Sequence, residues 1–123
     1  MRVFVYGSLL PGMHHHAVAE QYATAMEPGR VRGRLIDAGE YPALLLGGPG
    51  SVRGVWLTVG REGLAAMDAL EEYFGVEESN DYERVWLRDA DRPEIAGWAY
   101  VWADARGFLE ADGDWWPDVV RRR

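Results

Sequence analysis

Two features of this sequence have residue types and spacing that could do chemistry: a glutamate on a helix and a glycine turn after a strand. On a helical wheel at about 100° per residue, with Leu64 at zero, Met67, Leu70 and Phe74 complete one apolar arc from about 240° to 360°. Glu71 falls inside that arc at about 340°, whereas Asp68 at about 40° and Glu72 at about 80° fall outside it. A carboxylate on a core-facing stripe costs stability unless it is paired or protonated. Burial lifts a glutamate pKa from about 4.3 toward neutrality, where a proton can be both taken and returned. Between Glu62 and Glu83 stand eight acidic residues (Glu62, Asp68, Glu71, Glu72, Glu77, Glu78, Asp81, Glu83) and no arginine, and that negative charge also disfavours ionisation. Two readings of Glu71 stand. It is a proton-transfer group, or it is an edge-of-stripe side chain paired with an arginine such as Arg84.

The second feature is Gly7-Ser8-Leu9-Leu10-Pro11-Gly12, where backbone N–H groups can face an anion or a developing oxyanion. The turn lacks the Gly-x-Gly-x-x-Gly of dinucleotide folds and the Gly-Lys-Ser/Thr of phosphate loops. Ser8 is outside any Gly-x-Ser-x-Gly elbow, and an ordinary tight turn is the plain alternative. His14-His15-His16 suggests metal, but neighbours about 100° apart on a helix cannot share an ion well, so these read as a polar helix start.

The elements that must position these groups follow from periodicity. Val3-Phe4-Val5-Tyr6 is a short buried strand, and Val18, Tyr22, Ala25 and Met26 mark a helix after the glycine turn. Val31, Gly33 and Leu35 alternate with Arg30, Arg32 and Arg34, giving a strand with one charged face. Tyr41 to Leu46, started at an edge or bulge by Pro42, is another strand. Val52–Val59, Tyr82–Arg88 and Ile95–Trp102 are further strands, with Trp98, Tyr100 and Trp102 on one face. A helix is expected over Arg61–Gly75. Gly33, Gly54 and Gly97 fit tight bends or close backbone approach. The result is one α+β domain, residues 1–123, whose sheet curls toward a small mixed β-barrel with flanking α-helices.

Composition removes whole classes of function. The 123 residues are 48% hydrophobic and 27% charged, which suits a globular core. No cysteine means no disulfide, thiol nucleophile or thiolate zinc site. All 13 basic residues are arginine, so phosphate-loop, Schiff-base and ammonium lysines are absent. A net charge of −7 repels phosphate backbones, so nucleic acid is not an expected partner, and Arg121-Arg122-Arg123 reads as a solvated terminus. No apolar run reaches the roughly 18–20 residues of a membrane helix, and the N-terminus reads as neither signal nor transit peptide. The expectation is a cytoplasmic protein. The six tryptophans read as core and rim packing.

Taken in order, Tyr6-Gly7-Ser8-Leu9, Gly33-x-Leu35, Gly39-x-Tyr41-Pro42-Ala43-Leu44, Val52-x-Gly54, Asp68-x-x-Glu71, Tyr82-x-Arg84, Ala99-Tyr100-Val101-Trp102 and Gly113-Asp114-Trp115 resemble the γ-glutamyl cyclotransferase-like, or AIG2-like, proteins over nearly the whole chain. The resemblance implies no metal, no cofactor and a pocket shared by the Tyr-Gly-Ser-Leu loop and the glutamate of Asp-x-x-Glu, which is Glu71. It implies cyclisation of a γ-glutamyl amine, amino acid or dipeptide to 5-oxoproline with release of the amine. Glu71 would be the general acid/base. Gly7, Ser8 and Leu9 would hold substrate and oxyanion through their N–H groups. Tyr6 and Tyr82 would wall the pocket or donate hydrogen bonds. Glu72 stands where many relatives have glycine, and Leu10 where many have a basic residue, a difference that could remove a contact to an anionic distal group. A non-catalytic module binding a small carboxylate ligand in the same pocket is the alternative, and an interaction domain using exposed tryptophans is a third. A homodimer packed through Trp115-Trp116-Pro117 is also possible.

Overall fold

Val3, Phe4 and Val5 are β-branched or aromatic and buried on both sides, which makes strand β1 (Arg2–Val5) the middle of the structure. The computed structural model describes residues 1–75 and 79–123. After β1 come α1 (His16–Tyr22), β2 (Ala23–Arg32), β3 (Arg34–Asp37), β4 (Pro42–Leu45), β5 (Ser51–Val59), α2 (Arg61–Leu70), β6 (Glu83–Arg88), β7 (Ala96–Val101), β8 (Leu109–Glu110) and α3 (Trp116–Arg121). One sheet has the order β2-β5-β1-β7-β6, with β1 parallel to β7 and antiparallel to β5. A second has the order β4-β3-β8. The fold is α+β as expected, but the five-stranded sheet is not closed, so barrel describes it only loosely.

Alternation along β1 divides the core. Val3 and Val5 face one cluster with Leu57, Val59, Met67, Tyr100 and Trp102, which α1 and α2 cover. Phe4 and Tyr6 face another with Leu35, Val52, Trp56, Ala99 and Trp116, which α3 covers. Gly54 on β5 and Gly97 on β7 flank β1 from either side; a Cβ on them would run into the Val5 and Arg2 carbonyls. Trp102 and Tyr100 share their cluster with the partly buried Trp98, as the spacing required.

Three local expectations change. The helix read through Ala25 and Met26 ends at Tyr22, and β2 follows at once. Pairing with β5 from Ala23 to Arg32 outweighs the helical spacing, which β2 imitates because a bulge interrupts it between Ala23 and Ala25. The strand read through Arg30–Leu35 is two strands on different sheets. Gly33 makes the corner at φ 148°, with no room for a Cβ against the Leu45 carbonyl. The helix read to Gly75 stops at Leu70, so Phe74 leaves the apolar arc and is 65% exposed. Pro42 opens β4, the edge of its sheet, as expected.

Candidate active site

The glycine turn leaves β1 beneath the edge of β4. Tyr6 is buried, donating its hydroxyl proton to the Tyr100 carbonyl at 2.5 Å and accepting the Leu44 N–H at 3.1 Å. Gly7 passes so close to Pro42 that a Cβ would lie 2.9 Å from the proline ring. The loop carbonyls are engaged: the Leu10 N–H donates to Gly7 and the His15 N–H to Ser8. The N–H groups of Gly7, Ser8 and Leu9 have no protein acceptor among the described residues. Three consecutive donors at one end of a pocket can hold an oxyanion or a carboxylate.

The histidines do more than begin a helix. His15 Nδ1 lies 3.0 Å from the Ser8 hydroxyl, and His16 Nδ1 lies 2.9 Å from the Leu9 carbonyl. They tie the first turn of α1 to the loop. Among the described residues no group of three or more metal-ligating side chains is assembled, here or elsewhere.

Glu71 occupies the turn that ends α2. Its N–H still bonds the Met67 carbonyl at 2.9 Å, while Glu72 adopts φ 54° and stays exposed. A left-handed residue after a helix is a position that favours glycine. The Glu71 side chain makes no hydrogen bond or ion pair among the described residues, although the residue is half-buried. Burial, and secondly the Asp81 charge, push its carboxyl up from 4.5 to about 7. Arg84 does not neutralise it. That guanidinium bonds Asp68 Oδ2 at 2.6 Å and lies over the rings of Tyr73 and Trp98. Asp68, which the wheel placed outside the apolar arc, accepts the Tyr100 hydroxyl on its other oxygen, also at 2.6 Å. It is an internal anchor for the end of α2.

Tyr82 donates its hydroxyl proton to the Pro42 carbonyl at 2.6 Å, and burial pushes the phenol far above its usual range. The hydroxyls of Tyr6 and Tyr82 are thus both engaged by backbone, and the two rings wall the site. A narrow pocket of about 40 Å³ is lined by Tyr6, Gly7, Ser8, Leu9, Glu71 and Tyr82, with Tyr41, Pro42 and Tyr100. It adjoins an outer cavity of about 570 Å³, with Ser8, Tyr41, Glu71 and Tyr82 lining both. All six residues singled out by sequence therefore converge on one pocket.

Pro42 and Tyr100 come to the pocket from β4 and β7, and Tyr41 from the bend just before β4; their place in the motifs shared with the cyclotransferase-like proteins was the signal in the sequence. Leu10 is fully buried in the core and lines neither cavity. Trp116 is buried and Trp115 half-buried beneath the Arg53 guanidinium, so both indoles pack within their own chain. Arg123 is not free in solvent: it bonds the Gly39 carbonyl and Asp37. Of the acidic stretch, Glu77 and Glu78 lie outside the described residues. Among the described residues, no helix is long and apolar enough to cross a membrane.

A sequence profile of the family described as gamma-glutamyl cyclotransferase, AIG2-like, matches residues 3–117. The chain is 34% identical over 117 residues to the gamma-L-glutamyl-butirosin B gamma-glutamyl cyclotransferase of Niallia circulans, covering 92% of this chain and 74% of that protein. An uncharacterized protein of Pyrococcus horikoshii superposes with a TM-score of 0.73 at 15% identity, over 99% of this chain and 94% of that one. A Bacillus subtilis protein superposes with a TM-score of 0.72 at 18% identity over 99% of this chain, which spans 42% of that longer one. At such identities the structural likeness speaks for the fold alone.

Proposed function

The chain belongs to the gamma-glutamyl cyclotransferase, AIG2-like family as an enzyme of that type, and from that premise we propose that Glu71 closes a γ-glutamyl amide into 5-oxoproline. The observation that carries the reading is a carboxyl pushed up to about 7 in the same pocket as three N–H donors, all without a protein partner among the described residues. The relative from Niallia circulans is named for a γ-glutamyl compound, and only the γ-glutamyl part is extended to this chain.

The narrow pocket receives the glutamyl head. Near neutral pH its α-amino group is largely protonated, and ionised Glu71 takes one proton from it. The freed amine attacks the γ-carbonyl carbon, forming the ring C–N bond, and the carbonyl oxygen becomes an oxyanion facing the N–H groups of Gly7, Ser8 and Leu9. Glu71 then gives its proton to the departing nitrogen as the old C–N bond breaks. The surplus proton on the ring nitrogen follows the same route. A carboxyl with a pKa near the working pH is competent in both directions. The reaction needs no enzyme nucleophile, and holding amine and carbonyl together supplies much of the acceleration.

The test is release of 5-oxoproline from a panel of γ-glutamyl compounds by the parent and by Glu71→Gln. The amide keeps the shape and removes the proton acceptor, so release is expected to fall by about 10²–10⁴. Release at the parental rate would defeat the mechanism. A compound that raises the melting temperature of the parent but is recovered unchanged would favour a binding module.

A further inference from the structure

Resting on the cyclotransferase reading, we infer that His16 is a positioning residue: by holding the Leu9 carbonyl, its ring aims the Ser8 N–H at the forming oxyanion. A trans peptide points its N–H away from its C=O, so whatever grips a carbonyl sets where the next residue's N–H points. From Gly7 to Leu10, every carbonyl of the glycine turn is gripped. The Leu10 N–H donates to Gly7 at 3.1 Å, the His15 N–H to Ser8 at 2.7 Å and the Met13 N–H to Leu10 at 2.9 Å. The remaining carbonyl, that of Leu9, is held by a side chain, His16 Nδ1 at 2.9 Å.

These bonds act in sequence. The Leu9 C=O and the Leu10 N–H share one peptide plane, so the His16 ring sets the direction of that N–H. The Leu10 N–H grips the Gly7 carbonyl, whose own peptide carries the Ser8 N–H. The Leu9 N–H is set without a side chain, through the Ser8 carbonyl and the His15 backbone. His16 itself is engaged at both ring nitrogens. A carbonyl only accepts, so Nδ1 carries the hydrogen, and Nε2 lies 3.2 Å from Glu20 Oε1, one turn along α1. The His16 side chain is 16% exposed and that of Glu20 68%, so the bond to Leu9 is the sheltered one. Nothing in α1 as a helix calls for histidine here: it is a middling helix former, and α1 begins without a side-chain cap. A donor preorganised for charge that appears only in the transition state raises kcat and leaves substrate binding nearly alone.

Two amide substitutions at His16 divide the ring's two contacts. Asparagine places its nitrogen where Nδ1 stands and keeps the Leu9 bond, whereas glutamine reaches toward Glu20 as Nε2 does and gives that bond up. Both are measured for kcat and KM on the γ-glutamyl compound that the parent turns over fastest. His16→Asn is expected to keep kcat within about threefold of the parent. His16→Gln should lose about 30-fold in kcat, part of the roughly 10²–10³ worth of a whole oxyanion donor, with KM within about threefold. Val18→Ala trims a half-buried α1 side chain that packs on the core and lines neither cavity; it should lower the melting temperature and leave kcat at the parental value. A parental kcat for His16→Gln, an equal loss in both amide variants, a loss that falls on KM instead of kcat, or an equal loss in Val18→Ala overturns the positioning role and leaves the cyclotransferase reading intact. No release of 5-oxoproline by the parent from any compound of the panel overturns both.

Discussion

Replacing Glu71 by glutamine should make the protein more stable as well as less active, and the gain should depend on pH. An ordinary glutamate gives up its proton near 4.5, whereas the folded carboxyl does so at about 7. Between those values the unfolded chain binds fewer protons than the folded one, so stability falls as pH rises. Below about 4.5 the group is protonated in both states and the penalty is absent; above about 7 it is complete. A shift from 4.5 to about 7 corresponds to about 3 kcal/mol, and the partial exposure of the residue reduces this to about 2 kcal/mol. Glutamine carries no charge at any pH, so Glu71→Gln should match the parent near pH 4.5 and exceed it by about 2 kcal/mol at pH 8. Urea unfolding of both proteins at pH 5, 6, 7 and 8 measures this, and subtraction cancels every other titrating group. A difference that is flat across the range, or that favours the parent at pH 8, would refute the claim that this carboxyl is held away from water.

The other predictions concern groups around it. Tyr6→Phe leaves the buried Leu44 N–H and Tyr100 carbonyl without a partner and should cost about 2–4 kcal/mol in urea unfolding. Its kcat per folded molecule should stay within a few-fold of the parent; a loss of about 100-fold would mean that the hydroxyl acts on the substrate. Asp68→Asn leaves the half-buried Arg84 guanidinium without its anion and should cost about 2–3 kcal/mol, and adding Arg84→Met should recover part of that in a double-mutant cycle. Asp89→Asn should destabilise by about 2–4 kcal/mol, because an amide has one oxygen for the N–H donors of Arg30, Trp56, Asp91 and Arg92. Burial pushes Asp89 up, but those donors outweigh it and hold its pKa below the ordinary value. Its contribution is therefore present above the unfolded carboxyl range and lost on acidification, the reverse of Glu71.

The strands were legible where local pattern and tertiary position agree. Val3-Phe4-Val5 reads as buried strand because both its faces meet core, and Gly54 and Gly97 announce the close approach on either side. Helix ends were less legible. The apolar spacing runs on past Leu70, but Glu72 turns into the left-handed region and nothing in its side chain signals it. Likewise Ala25 and Met26 keep a helical spacing while β5 offers a ladder of hydrogen bonds that local sequence does not reveal. At the site, a helical wheel picked out Glu71 but could not show what holds Asp68, whose partners Arg84 and Tyr100 lie 16 and 32 residues away. The bracing by His15 and His16 spans only seven residues, yet it depends on where the glycine turn sends the Ser8 hydroxyl and Leu9 carbonyl.

Burial alone does not leave a carboxyl protonated near neutral pH, as the contrast between Asp89 and Glu71 makes plain. Both leave water on folding, and desolvation pushes both upward. Asp89 is met by three backbone N–H groups and an indole N–H, so its charge is welcome and its proton is gone. Among the described residues Glu71 is met by none, and the charge that acts on it is the like charge of Asp81. A fold selected for stability alone would supply a donor, and Arg84 stands near enough in sequence to serve. Instead that guanidinium is held by Asp68, one turn earlier on the same helix. The Asp-x-x-Glu spacing thus separates two tasks: the first carboxylate captures the cation, and the second keeps a proton that it can exchange near neutral pH.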